Sequence, residues 1–279
     1  MRRLRWLAGR AGLLYKLARG PTELMSVTLY VLRFLVVSLL HLEVRDFRVT
    51  VWGIRFLIGA GETTSLGEVL QERCYEQLTD FVPKRGWTVV DVGANIGAFA
   101  LLQASRGARV VAFEPNPDCF RRLARAARSN GFGSRLTIVE RAVAEAPGHA
   151  ELAVEAGNTL LGSTVHAPAG DRVQLIGVEV DSLDRALSAL GMGHLDLLKL
   201  DAEGSEPDIL RGAERTLERV DRIVLEYHSD VELAEVKGLM ERAGFVELLC
   251  KPGTPIGGVL YFRSNRLAEI MTQPCTSAG

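Results

Sequence analysis

Val89-Val90-Asp91-Val92-Gly93-Ala94-Asn95-Ile96-Gly97 is the stretch on which the fold class turns. Apart from Asp91, Thr88–Val92 is β-branched, the composition of a strand covered on both faces. Gly93 and Gly97 then make a turn in which backbone can pass close to a ligand, and the apolar residues beyond them predict a helix to about Ser105. Buried strand, glycine turn and helix together form the opening unit of a doubly wound α/β sheet, which binds ligands at the carboxyl ends of its strands.

Working outward, Arg109–Phe113 predicts a second strand that ends at Glu114, twenty-one residues after Gly93. Asn116, Pro117 and Asp118 supply a cap, a first-turn proline and a first-turn acid for the next helix. Phe120, Leu123 and Ala127 face inward on that helix, Asn130-Gly131 ends it, and Arg121, Arg122, Arg125 and Arg128 form its solvated face. Residues 136–143 predict a third strand. Residues 151–154 and 173–180 predict two more, paired as a hairpin around the glycine-rich stretch 157–170. Residues 195–200 form a buried strand leading into Asp201, and Ser205 and Asp208 have the spacing of a capping box for the helix that follows. Arg222–Tyr227, a helix over 231–243 and a strand pair at 245–250 and 259–262 close the pattern; nothing after Arg266 carries a signal. The expected organisation is an α/β domain over 61–265, an N-terminal extension over 1–60 and a tail over 266–279.

A glycine turn followed by an acid at the second strand end suits an adenosine-containing ligand, because a carboxylate there can accept hydrogen bonds from both ribose hydroxyls. Dinucleotide sites favour G-x-G-x-x-G, with a pyrophosphate at the helix N-terminus. Here the turn is Gly93-x-Asn95-x-Gly97 with Asp91 before it. An acid beside the turn repels a pyrophosphate and attracts an ammonium and a sulfonium. S-adenosyl-L-methionine is therefore the expected cofactor, held by Asp91, Gly93, Asn95, Gly97, Glu114, Pro115 and Asn116. Asp91 also has a structural alternative, bracing the turn through backbone hydrogen bonds.

The second constellation is Lys199-Leu200-Asp201-Ala202-Glu203-Gly204-Ser205-Glu206. Methyl transfer to oxygen is an in-line displacement that needs a held hydroxyl and a place for its proton. Asp201 and Glu203 lie at the correct sheet edge, and His228 follows the next strand, so these three are the candidate catalytic residues. Lys199 can pair with a buried acid, and Glu206 reads as an acid complementing a helix dipole. Asp201, Glu203 and His228 could also supply hard metal ligands, but without a diagnostic spacing no metal is expected.

DVGANIG, FEPNP, LKLDAEGSEPDILRGAE and LEYH together resemble the FkbM family of S-adenosylmethionine-dependent methyltransferases, over residues 75–262. The resemblance implies a Rossmann-like seven-stranded sheet with its last strand antiparallel. It also implies O-methylation of a hydroxyl on a sugar, glycolipid or polyketide-type metabolite.

Lys and Arg total 33 against 34 Asp and Glu in 279 residues, so no basic excess points to nucleic acid. Cys74, Cys119, Cys250 and Cys275 form no metal or disulfide spacing, which fits a reducing cytoplasm. Residues 1–22 carry Arg2, Arg3, Arg5, Arg10, Lys16 and Arg19 with no acid. Leu4, Leu7, Ala11, Leu14 and Ala18 fall on one helix face, a pattern that suits either an anionic membrane surface or packing on the domain. Residues 24–42 are apolar and long enough to raise a membrane span. A span is disfavoured by Arg33 at the middle, and because it would put the domain outside the compartment where the cofactor is made. For residues 24–42 the expectation is membrane-surface contact or a buried helix, and residues 1–42 together are the candidate for peripheral contact of a cytoplasmic protein with the inner membrane face. An NAD-dependent oxidoreductase and a non-catalytic membrane-associated binding protein of the same fold are the competing readings; Asp91 and Asn95 speak against the first, the carboxylates after residue 200 against the second.

Overall fold

A computed structural model describes residues 2–40, 46–59, 63–155, 158–163, 173–253 and 257–272. Two helices, α1 (Arg2–Leu17) and α2 (Pro21–Leu39), precede a hairpin of β1 (Phe47–Val51) and β2 (Ile54–Ile58). A short helix α3 (Thr63–Leu66) runs on through a wider helical turn, Gly67–Gln71. Then come β3 (Thr88–Val92), α4 (Ala98–Ser105), β4 (Arg109–Phe113), α5 (Pro117–Ser129), β5 (Leu136–Val139), β6 (Ala142–Ala144), β7 (Gly148–Glu155), β8 (Asn158–Ser163) and β9 (Val173–Ser182). The chain ends with α6 (Leu183–Ala189), β10 (Leu197–Leu200), α7 (Glu206–Arg211), α8 (Glu214–Leu217), β11 (Arg222–Tyr227), α9 (Asp230–Arg242), β12 (Phe245–Pro252), β13 (Gly258–Ser264) and α10 (Asn265–Thr272).

Seven strands pair in the order β12-β13-β11-β10-β3-β4-β5. From β5 to β11 every pairing is parallel, and β13, the last strand of the chain, runs antiparallel between β11 and β12. The Rossmann-like doubly wound sheet is thus present, with its strand order reversing between β3 and β10. That reversal opens a crevice at the carboxyl ends of these two strands. Alternation along the strands explains the two cores: Val89, Val110 and Ala112 pack towards Phe99 and Leu123, while Val90, Val92, Val111 and Phe113 pack towards Leu183, Leu198 and Ile209.

The N-terminal extension shares the first of these cores. Leu14, Leu17, Val27, Tyr30 and Phe47 belong to the same apolar cluster as Phe99 and Leu123. Helix α2 lies on the hairpin with Tyr30 edge-on to Phe47, ring centroids 5.4 Å apart. Trp52 (φ 55°) and Gly53 (φ 71°) turn that hairpin, both in the left-handed region that a tight hairpin turn requires. Of the expected apolar face, Ala11 and Leu14 are buried against the body and Ala18 is half-buried; Leu17 is buried beside them, and the side chains of Leu4 and Leu7 lie outside the described residues.

Five local expectations need correction. Residues 136–143 form two strands: the chain leaves the main sheet at Val139 and joins a four-stranded sheet, ordered β6-β9-β7-β8, from Ala142. Residues 158–163 of the glycine-rich stretch form β8; positions 157 and 164–170 lie outside the described residues. Arg122 is buried, its Nε 2.9 Å from Asp46 Oδ1, so only part of the arginine face of α5 is solvated. No capping bond comes from the Ser205 side chain to α7. The residues after Arg266 include a helix, α10.

Candidate active site

The turn after β3 is shaped by what lies against it. Gly93 has φ 72°, and a Cβ built there falls 1.7 Å from the carbonyl oxygen of Asp201, so the turn touches the backbone beyond β10 directly. Gly97 answers a separate steric need, since its Cβ would meet Leu123 Cδ1 at 2.1 Å; this glycine lets α5 pack against the start of α4. Asn95 is left-handed (φ 52°), and its Oδ1 accepts the amide of Ile96 at 2.7 Å. Glu114 ties the turn to the end of β4: Oε2 accepts the Asn95 amide at 2.6 Å and Oε1 the Asn116 amide at 2.8 Å. Burial pushes the Glu114 carboxyl up to about 7, against the opposing pull of those two amides.

Asp91 lies beneath the turn. It is fully buried, and its Oδ1 is 3.0 Å from Lys199 Nζ. The ammonium of Lys199 also donates to the carbonyl of Gly93 at 3.0 Å and lies 3.3 Å from Asp201 Oδ2. Asp91 therefore meets a cation from its own chain and not the amides of the turn; its link to the turn runs through Lys199, which donates to the Gly93 carbonyl. Asp201 carries this network onward. Its Oδ2 accepts from the Tyr75 hydroxyl at 2.9 Å, and the same hydroxyl oxygen lies 2.9 Å from Glu226 Oε2. One phenolic proton cannot serve two carboxylates at once, so a second proton belongs to this group. Burial, reinforced by the charge of Asp201, pushes Glu226 up to about 7, which makes Glu226 its natural carrier.

After Asp201 the chain turns through Glu203 (φ 53°) and Gly204 (φ 95°). Glu206, wholly buried, reaches back to accept the amides of Ala202 and Gly204, the latter at 2.9 Å, which holds the loop in shape. Beside it stands His228, Nε2 3.7 Å from Glu206 Oε1 and Nδ1 4.0 Å from Glu203 Oε2. Burial alone would lower the imidazole; Glu206 first, then Glu203 and Asp201, outweigh it and hold His228 protonated up to about 10. His228 thus stands behind the loop of Glu203 and Glu206 and does not itself line the cavity. The ligand atoms of Asp201, Glu206 and His228 lie within 4.8 Å of one another, but both Glu206 oxygens are already engaged by amides.

A pH dependence follows from the raised imidazole. A group whose pKa is raised on folding stabilises most below its unfolded value, near 6.5, and loses that contribution as pH climbs through its folded value, near 10. Thermal melts from pH 8 to pH 10 should show a falling midpoint, and His228→Gln should flatten that fall. An unchanged slope in the variant would show that His228 is not a cation in the fold.

Gly93, Asn95, Glu114, Pro115 and Asn116 line one side of a cavity of about 310 Å³. Tyr75, Glu68, Asp201, Glu203 and Glu226 line the other. Burial, then Asp201, pushes Glu203 up to about 7 as well. Among the residues expected at the site, Asp91, Gly97 and His228 do not line the cavity and act from behind it. Tyr75, Glu68 and Glu226 are the additions: Glu226 is legible as the acid of LEYH, on the β11 face opposite Ile223 and Leu225, whereas nothing local marks Tyr75 or Glu68.

A family model described as "Methyltransferase FkbM domain" matches residues 91–247, which run from β3 into β12. The chain belongs to the FkbM methyltransferase family. Among its relatives, 31-O-demethyl-FK506 methyltransferase FkbM of Streptomyces tacrolimicus is 31% identical, covering 67% of this chain and 84% of that protein. The 2-O-methyltransferase NoeI of Sinorhizobium fredii is 25% identical over 70% of this chain and 86% of its own. AMB antimetabolite synthetase AmbE of Pseudomonas aeruginosa is 32% identical over 56% of this chain, which spans only 9% of that protein. The matched region of this FkbM-family chain contains every residue expected to hold cofactor or substrate, and leaves Tyr75 and Glu68 outside it.

Proposed function

We propose that this chain transfers a methyl group from S-adenosyl-L-methionine to a hydroxyl oxygen of a sugar, glycolipid or polyketide-type metabolite in the cytoplasm. The observation that carries the reading is a single cavity with a glycine turn and Glu114 on one wall and a proton-accepting network on the other. The residues present fit the cofactor. Each Glu114 oxygen accepts one amide and keeps a second lone pair for a ribose hydroxyl. Asn95 and Asn116 border the same wall, and the excess of carboxylates over Lys199 suits a cationic sulfur and an ammonium. Bound there, the cofactor supplies an electrophilic methyl group.

The chain's own residues then deal with the acceptor. An alkyl hydroxyl is too weak an acid to ionise beforehand, so its proton leaves as the new bond forms. Asp201 is placed to accept the hydroxyl as a hydrogen-bond donor and take that proton. Tyr75 donates to Asp201 and lies within hydrogen-bond distance of Glu226; since Glu226 carries the proton the group already holds, Asp201 is the carboxylate left to take the one from the acceptor. Lys199, between Asp91 and Asp201, holds the Asp201 carboxylate in place; Glu203 offers a further carboxylate at the open side.

Calorimetry tests the cofactor. The methyl donor or its demethylated product should bind and NAD should not; preferential NAD binding would overturn the proposal. Glu114→Ala should weaken donor binding by about 1.5–3 kcal/mol, the range for hydrogen bonds to a charged group.

A further inference from the structure

Helix α2 is apolar and long enough to cross a bilayer. The structure uses one of its faces elsewhere. Val27 and Tyr30 are buried against the hairpin, and Ser26 Oγ accepts the Thr50 amide at 2.9 Å. Glu23 accepts the Gly53 amide at 2.6 Å and the Arg19 amide at 2.7 Å. A spanning helix would have to abandon all of these contacts. The opposite face is bare: Met25 (61% exposed), Leu29 (59%), Leu32, Val36 and Leu39 (78%) recur at steps of four and three, which places them on one stripe.

Charge identifies what covers the stripe. Residues 1–42 carry seven cations, Arg2, Arg3, Arg5, Arg10, Lys16, Arg19 and Arg33, and a single acid, Glu23, which is buried and bound to two amides. A second copy meeting this stripe would bring two such basic segments together without acids to match them. We infer that α1 and α2 form a dock for an anionic lipid bilayer, with the α2 stripe lying among the acyl chains near the headgroups and the basic residues meeting lipid phosphates. The packing of Ala11, Leu14 and Leu17 seats α1 on the body, and Leu13 lies over Gly67 in the segment that forms one wall of the cavity, where Ser65, Glu68 and Val69 stand.

Vesicle flotation of the full chain tests the dock. The protein should float with phosphatidylcholine vesicles containing phosphatidylglycerol, remain behind with phosphatidylcholine alone, and be released by high salt and by alkaline carbonate. Met25→Ser/Leu29→Ser/Leu32→Ser should abolish flotation while leaving the melting temperature and donor binding unchanged, since these side chains touch neither core nor cavity. Replacing Arg2, Arg3, Arg5 and Arg10 by Gln should lower vesicle affinity by about a hundredfold or more. Equal flotation by the triple serine variant, or no flotation of the parent, would overturn the inference. So would resistance to carbonate, which would mean a span, or a dimer in sedimentation that the triple variant dissolves, which would mean a second copy on the stripe. Because donor binding is read separately, failure here is distinct from failure of the proposed chemistry.

Discussion

Gly93→Ala should abolish measurable binding of S-adenosyl-L-methionine. The added Cβ would stand 1.7 Å from a carbonyl oxygen of the Asp201 backbone, which no side-chain rotation can relieve. It would also hold an L residue at φ 72°. Left-handed strain costs about 1–3 kcal/mol and overpacking a similar amount, so about 2–6 kcal/mol of stability should be lost. That falls within the stability of a typical domain, so the variant should fold in part and its binding remain testable. Gly97→Ala is the comparison: there the obstacle is the flexible end of Leu123, so a smaller loss of stability should accompany residual binding. Urea unfolding and calorimetry on both variants give the answer. Near-normal donor affinity in Gly93→Ala would mean that the close approach of the two turns is not part of the donor site.

Asp201→Asn should lower turnover by about 10²–10⁴-fold, the usual contribution of a positioned base, while donor affinity changes little. The substitution keeps the size and removes one of the two carboxylates facing Lys199. The other, Asp91, remains 3.0 Å from the ammonium, so the buried cation keeps a partner and the fold should hold. Single-turnover methyl transfer to a reactive acceptor, with donor binding measured in parallel, separates the roles. Turnover near that of the parent would remove Asp201 as base and leave Glu203 or Glu226 to be tried; loss of donor binding would place Asp201 in the donor site.

What the sequence made legible was local. The strand, turn and helix from Thr88 to Ser105 follow from composition and two glycines, and the acid at Glu114 from a countable spacing. Asp91 was harder, because the lysine that neutralises it is 108 positions away in the chain and is brought close only by pairing β3 beside β10. Arg122 looks like a solvated residue until Asp46, on a segment with no helical or strand signal of its own, folds against α5. Residues 136–143 remain apolar and β-branched across Glu140-Arg141, and periodicity does not say which sheet a strand will join. His228 sits at the expected strand end, but the sign of its charge depends on Glu203 and Glu206, supplied by a different loop. The N-terminal apolar run has the composition of several kinds of helix, and only the contacts of Val27, Tyr30 and Glu23 show which side is already used.

The passage of the chain from β5 to β6 has a consequence for how such an enzyme diversifies. Between Val139 and Leu197 the polypeptide makes an excursion outside the main sheet and returns to it, and Arg141, Ala142, Val143 and Leu152 from that excursion border the cavity. The strands that hold the glycine turn and Asp201 come before and after it, hydrogen-bonded directly to each other. Length and sequence around β7 and β8 can therefore drift without altering the spacing of the reacting groups, much as a tool's interchangeable jaw can be refitted on a fixed handle. Acceptor preference should be tradable between relatives by exchanging this excursion alone.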